Sequence, residues 1–324
     1  MNEILIASIG NSYVDFSKLD LSPWKIQGGK LSDENTRKKI VEEFQIIEIA
    51  WDRIVEATQR GNSSGLYVDY EHRSLLWPLD KNDQPNESDF YEVINILRIL
   101  HPSELYIHNI FSTTYDQGLG TQISSWSQSE SYVWNKYDKP EQHFFIYPED
   151  QFSETNALLQ IFKKYKDINY ISNAIKYYSD SFYVNSPEMS FICLCICLET
   201  IVSGREQLSF SFRRNLAVLC SNSEEEGKNI FENARLLYNY RSALVHSGMS
   251  KKNYEKFDLF FKYAQFLSSR MIIEMVLHNI PSIEGLDKKI TELGFGNKHK
   301  ISENYKEIIS NKISWQEVSD YNLR

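Results

Sequence analysis

The sequence predicts an α+β protein, in which a mixed α/β part of about 150 residues precedes an all-α, up-and-down helical bundle. Three observations carry this. Residues 1–150 mix short apolar runs with helical patterns, whereas residues 153–281 hold long helical patterns and almost no strand signal. The change of character falls just after Pro148. The chain has 324 residues, and 42% of them are apolar, so both parts can bury a core.

Each element follows from local pattern. Residues 4–7 form a short apolar strand. Ser32, Asp33 and Glu34 open a helix expected to run to about Arg60, because Ile40, Val41, Phe44, Ile47, Trp51, Ile54 and Val55 recur at spacings of mostly three and four. The Gly- and Ser-rich stretch 61–65 stops it, and residues 66–70 read as a strand. A helix over 88–100 is closed by Pro102, and 105–111 is again a strand. Residues 115–140 read as loops, with a last strand at 143–147. Helices are then expected at 154–165, 168–180, 187–203, 209–221, 225–247 and 251–279. Pro187 suits a first helical turn, and Gly204, Gly248 and Pro281 fall at helix stops. The connecting loops are short, which favours antiparallel neighbours. The chain thus divides into 1–150, 151–281 and a polar tail 282–324 with a short helix near 301–311.

Composition excludes several classes. No apolar run is long enough to span a membrane, and the first residues lack the basic start and apolar stretch of a signal peptide. Cys193, Cys195 and Cys197 alternate, so on a helix successive thiols lie about 200° apart and cannot converge on one metal. They read as buried free thiols beside Cys220, suited to a reducing cytoplasm. No cofactor loop is present: Gly118 and Gly120 are too short a motif for a dinucleotide, and there is no Walker-type Gly-Lys-Ser/Thr. Asp69, Glu71 and His72 are close in sequence, but a lone cluster of this kind reads as surface, and the other histidines have no metal-ligand spacing; Trp126, Tyr132 and Trp134 fall in loop sequence and read as partial core, with a recognition pocket as the alternative. The formal net charge is −9, yet residues 205–280 hold 11 Lys and Arg against 8 Asp and Glu. That stretch is the one region where an anion is electrostatically welcome.

The informative segment runs from Tyr238 through Arg241, Ser242 and His246 to Gly248. Arg supplies a permanently charged planar fork that matches phosphate oxygens. His titrates near neutral pH and can pass a proton. Together they suffice for attack of a ribose 2′-hydroxyl on its own 3′-phosphate, with His handling the proton and Arg stabilising the added charge. No metal is required. Five residues of helix rotate by about 500°, leaving the two side chains roughly 140° apart and about 7.5 Å along the axis. They converge only if the last turn unwinds or a second helix supplies the partner, and a two-fold dimer would gather two Arg and two His in one cleft.

The surrounding order extends the pattern. Leu198 and Glu199 close one helix, Arg213 and Arg214 lie in the next, then come Tyr238, Arg241, Ser242 and His246, followed by an apolar helix with Phe257, Phe260 and Phe261. Over about 187–280 this order resembles the HEPN superfamily, most closely its Apea-like branch. The resemblance implies a helical domain that dimerises through the motif helix. It implies a metal-independent endoribonuclease acting as a toxin or in anti-phage defence, with Arg241 and His246 as the catalytic pair. Other members of the superfamily are non-catalytic nucleotide-binding or interaction modules. Many active members carry Asn, Asp or His directly after the Arg, where this chain has Ser242.

Supporting roles follow for neighbouring residues. Ser242, Arg213 and Arg214 extend the phosphate-binding surface, although a salt bridge from either arginine to Glu199 or Glu232 is the alternative. Tyr238 stacks on a base or orients His246, or else packs inside the bundle. Lys251 and Lys252 follow the motif and are expected either to contact the RNA backbone or to be only a surface pair at a helix start. Phe257, Phe260, Phe261 and Phe266 are core. The expected partners are single-stranded RNA or a tRNA loop, a second copy of the chain and a regulatory protein. The N-terminal part is expected to sense a trigger and restrain the helical effector.

Overall fold

The computed structural model describes residues 3–10, 12, 14–59, 73–103, 105–114, 152–165, 168–184, 186–202, 208–247, 256–294 and 323. The chain divides into two compact units: among these residues the first holds those up to 98, 103–114 and 152–160, and the second holds 99–102 and everything from 161. The protein is mixed α+β, with a four-stranded antiparallel sheet and, among the described residues, ten α-helices.

In the first unit the strands are β1 (Glu3–Gly10), β2 (Ile26–Lys30), β3 (Ser74–Pro78) and β4 (Tyr106–Thr114), in the sheet order β2-β3-β1-β4. Every neighbouring pair is antiparallel, with Ala7 opposite both Leu76 and Ile110. A bulge between Ser8 and Ile9 breaks the β1–β4 register, and there the Asn109 amide donates to Ser8 Oγ at 3.1 Å. Ile4, Ile6, Leu75, Trp77 and Phe111 share a core with Ile40 and Phe44, which follow α1 (Glu34–Lys38), and with Ala50, Trp51 and Ile54 of α2 (Glu48–Gln59). A third helix, α3, runs Glu87–Leu100.

The expected single helix from Ser32 to Arg60 is two helices. Asp33 caps α1 by accepting from the Asn35 amide at 3.2 Å, a wide π turn covers Lys39–Glu43, and Gln45 takes a left-handed φ of 55°. The reason lies in the core. Phe44 and Ile46 are both buried in the same cluster, yet residues two apart on a helix point about 200° apart. The break lets both enter. It also turns Ile47, expected in the buried stripe, out to solvent.

Strand β2 reads Ile-Gln-Gly-Gly-Lys and has no strand signature. Its glycines are there for close approach. A Cβ on Gly28 would lie 2.6 Å from Phe16 Cβ and 2.8 Å from Leu76 Cδ2, and one on Gly29 would lie 2.3 Å from Thr36 Oγ1. Gly28→Ala is therefore expected to destabilise the first unit by about 1–3 kcal/mol in chemical denaturation, through forced repacking. Strands expected at 66–70 and 143–147 lie outside the described residues.

The helical elements are α4 (Phe152–Tyr165), α5 (Asn169–Asp180), α6 (Pro187–Glu199), α7 (Leu208–Cys220), α8 (Glu224–Ser247), α9 (Phe257–Leu277) and α10 (Ile283–Leu293). Ser186 caps α6 by accepting from the Met189 amide at 3.3 Å, and Pro187 occupies its first turn. The short turn 221–223 joins α7 and α8 as an antiparallel hairpin. Helix α9 is apolar nearly all round, is buried along most of its length, and packs against α5, α6 and α7. Phe257, Phe260, Phe261 and Phe266 are all core.

Two features go beyond the sequence pattern. Helix α10 lies at the start of the expected polar tail, capped by Ser282 and held against α7 by buried Leu286, Ile290 and Leu293. A charged cluster also sits inside the bundle. Arg270 of α9 is fully buried and donates from Nη1 to Glu226 Oε1 at 3.1 Å; buried Glu274 adds a second negative charge, with His278 Nε2 3.2 Å from its Oε2. Glu226 Oε2 accepts from the Asn222 amide at 2.5 Å, so one carboxylate both closes the start of α8 and neutralises α9. The expected helix at 301–311 lies outside the described residues.

Cys195, Cys197 and Cys220 are buried, and among the described residues none of the four cysteines forms a disulfide. Burial pushes the Cys197 thiol up to about 12 and Cys195 well above its ordinary value, so neither is a nucleophile. No described helix is long and apolar enough to cross a membrane.

Candidate functional site

Helix α8 begins with Glu224, Glu225 and Glu226 and has His246 in its last turn, the charge order its dipole favours. It stays helical through Ser247. The last turn therefore does not unwind, and one of the two routes by which Arg241 and His246 could meet is closed. On this unbroken helix they point roughly 140° apart and sit about 7.5 Å along the axis. His246 is exposed beside exposed Val245, while Arg241 and Ser242 are half-buried.

What Arg241 meets within its own chain is Glu199. Its Nε lies 3.6 Å from Glu199 Oε1, across the contact between α8 and the last turn of α6. That distance makes an ion pair and is too long for a hydrogen bond. Nε is buried and, among the described residues, makes no hydrogen bond, so the guanidinium retains unused donor capacity. Burial raises the Glu199 carboxyl above its ordinary value, and Arg241 offsets part of that rise. The charge of Glu199 in turn pushes the Cys195 thiol up while Arg241 pulls it down, so this buried thiol lies close to the pair.

The aromatic neighbours anchor the helix. Tyr240 stacks on Phe260 with centroids 4.3 Å apart and meets Phe191 edge-on at 5.5 Å, tying α8 to both α9 and α6. Burial, followed by Asp258 and Glu188, pushes its hydroxyl up to about 12. Tyr238 is half-buried and packs against Phe212 at 5.8 Å.

The two α7 arginines differ. Arg213 Nη2 pairs with Glu232 at 3.0 Å, Nε donates to the Phe231 carbonyl at 3.2 Å, and the guanidinium lies 3.8 Å from the Phe231 ring centroid. Glu232 thus takes Arg213, while Glu199 takes Arg241. Arg214 is half-buried and forms no ion pair among the described residues. Lys251 and Gly248 lie outside the described residues.

The structure brings together Arg241 and Glu199 but leaves His246 on a different side of its helix. Glu199 is the partner that spacing alone does not single out, since its pairing depends on where α6 and α8 cross. Among the described residues no group of three or more His, Cys, Asp or Glu is placed to hold a metal ion. No family model, curated protein or solved structure matches the chain.

Proposed function

We propose that the chain is a metal-independent endoribonuclease of the HEPN type. In this reading Arg241 binds the scissile phosphate, and His246 from a second copy completes the cleft. The observation that carries it is the placement of the motif: a partly buried guanidinium with an unused Nε, and an exposed imidazole, on the last turns of one continuous helix. Because the two cannot close on one phosphate within a chain, the reading requires a dimer through α8. Ser242, Tyr238 and Arg214 are assigned to the same phosphate-binding surface and Lys251 to the RNA backbone, whereas Arg213, engaged by Glu232, steadies α7. The substrate is single-stranded RNA or a tRNA loop, consistent with a local excess of basic residues over 205–280 in a chain of net charge −9. Cysteines without disulfides suit a reducing cytoplasm. Toxin or anti-phage action follows from the same reading, with the N-terminal α/β unit as its sensor and a further protein as a candidate regulator.

The purified protein is expected to cut single-stranded RNA in EDTA, leaving a 2′,3′-cyclic phosphate and a 5′-hydroxyl. His246→Ala is expected to slow cutting by about 100-fold or more, the usual scale of a lost proton-transfer group. Unchanged cleavage in that variant defeats the proposal.

A second reading is a non-catalytic module in which the same arginine holds a nucleotide or an RNA end. Ser242 after the Arg, and the engagement of Arg241 by Glu199, favour it. Nucleotide binding without turnover in wild-type protein separates it from the first.

A further inference from the structure

Cleavage by 2′-hydroxyl attack needs two proton-handling groups: a base for the 2′-hydroxyl and an acid for the departing 5′-oxygen. The sequence motif supplies one titratable group per chain. Within a chain, that group is not the one beside the arginine. Glu199 is, 3.6 Å from Arg241 Nε, with both side chains roughly 30% exposed to solvent. A phosphate drawn to the open donors of Arg241 would bring its ribose within reach of the Glu199 carboxylate.

Resting on the ribonuclease reading above, we infer that Glu199 is the general base of this site and that His246 of a second copy is its general acid. Glu199 accepts the proton from the 2′-hydroxyl, and the 2′-oxygen forms a bond to phosphorus. The bond from phosphorus to the 5′-oxygen breaks, and the imidazolium of His246 gives that oxygen its proton. The products are a 2′,3′-cyclic phosphate and a 5′-hydroxyl, with Glu199 protonated and His246 neutral until the solvent resets both. Arg241 stays charged throughout and faces the added negative charge on the phosphate oxygens.

The surroundings of Glu199 fit this role better than that of a structural ion pair. Among the described residues, the titratable groups that reach it are Arg241 from α8 and Cys195 from its own helix. Burial outweighs the attraction of Arg241, so the carboxyl ionises above its ordinary value. A carboxylate raised in this way stabilises the fold only when protonated, and that contribution is lost as pH rises through its folded value. At neutral pH the charged form is thus held at some cost to stability. A proton acceptor closer to neutrality is also the better base at working pH.

The test is the full-length protein with wild-type, Glu199→Gln and Glu199→Asp chains, assayed on a short single-stranded RNA in EDTA across pH 4–9. The amide keeps the shape and polarity beside Arg241 but cannot accept the proton. Glu199→Gln is expected to lower kcat/KM by about 100-fold or more and to abolish the acidic limb of the profile. It should melt at neutral pH no lower than wild type. Glu199→Asp should retain the acidic limb at reduced rate. If Glu199→Gln cuts within about threefold of wild type, Glu199 is not the base and the nuclease reading survives. If the amide variant unfolds, the carboxylate supports the fold and the inference falls. If wild-type protein does not cut RNA at all, the nuclease reading fails and this assignment with it.

Discussion

Arg241→Ala is expected to lower RNA cleavage by about 100- to 1000-fold, the scale on which losing one donor aimed at developing charge is felt. Arg241→Lys should recover little of this. Lysine presents a single point charge on a flexible stem, and the position asks for a planar group that can sit beside Glu199 and still offer donors to a phosphate. The loss should appear mainly in kcat, because the charge it answers is greatest in the transition state. The fold should survive, since Tyr240 rather than Arg241 ties α8 to its neighbours through Phe260 and Phe191. Single-turnover cleavage and a thermal melt of the same sample separate the two. Normal cleavage by a folded Arg241→Ala protein excludes the arginine from the reaction.

Arg270 carries the largest expected effect on stability. Arg270→Met leaves the Glu226 and Glu274 carboxylates without the cation that attracts both. Removing one member of a buried ionic group typically costs about 3–5 kcal/mol, because the carboxylates keep their desolvation cost and lose the cation that offset it. The loss should come with protonation of a carboxylate, so the variant is expected to be relatively more stable at mildly acidic pH. Adding Glu226→Gln and Glu274→Gln to Arg270→Met should restore much of the stability, since neutral groups do not need the cation. Chemical denaturation of the single and triple variants checks this. A single variant within about 1 kcal/mol of wild type would show that the cluster is not held as charge.

The helices were the most legible part of the sequence, and for a physical reason. Periodicity marks any helix with one buried face, so α5 to α8 fall close to their expected bounds. Strand β3 is a five-residue run buried on both faces, which offers no alternation to read. Strand β2 hides behind two glycines whose purpose, making room for Phe16 and Thr36, exists only once the chain has folded. The expected helix through Phe44 to Ile47 failed because helical spacing cannot reveal that Phe44 and Ile46 share one core. Helix α10 carries just three buried side chains among polar ones, a signal easily taken for tail. At the site, the spacing of Arg241 and His246 and their place at a helix end were legible. The engagement of Arg241 by Glu199 was not, because it depends on the crossing of two helices distant in sequence. The pairing of Arg213 with Glu232 is set instead by the packing of α7 on α8.

The central position of α9 has a consequence for synthesis. Its aromatic and aliphatic side chains fill the space against α5, α6 and α7, and Phe260 provides the surface on which Tyr240 of α8 lies. All of those helices leave the ribosome before it does. Until residue 277 has emerged, the motif helix has no floor and α6 has no fixed crossing with it, so Glu199 and Arg241 are not held together. A nascent chain of this protein is therefore inert at its proposed site until nearly the whole bundle has been translated, and a fragment ending before Phe257 should stay inert however long it persists. On the ribonuclease reading proposed above, the order of the helices is itself a safeguard.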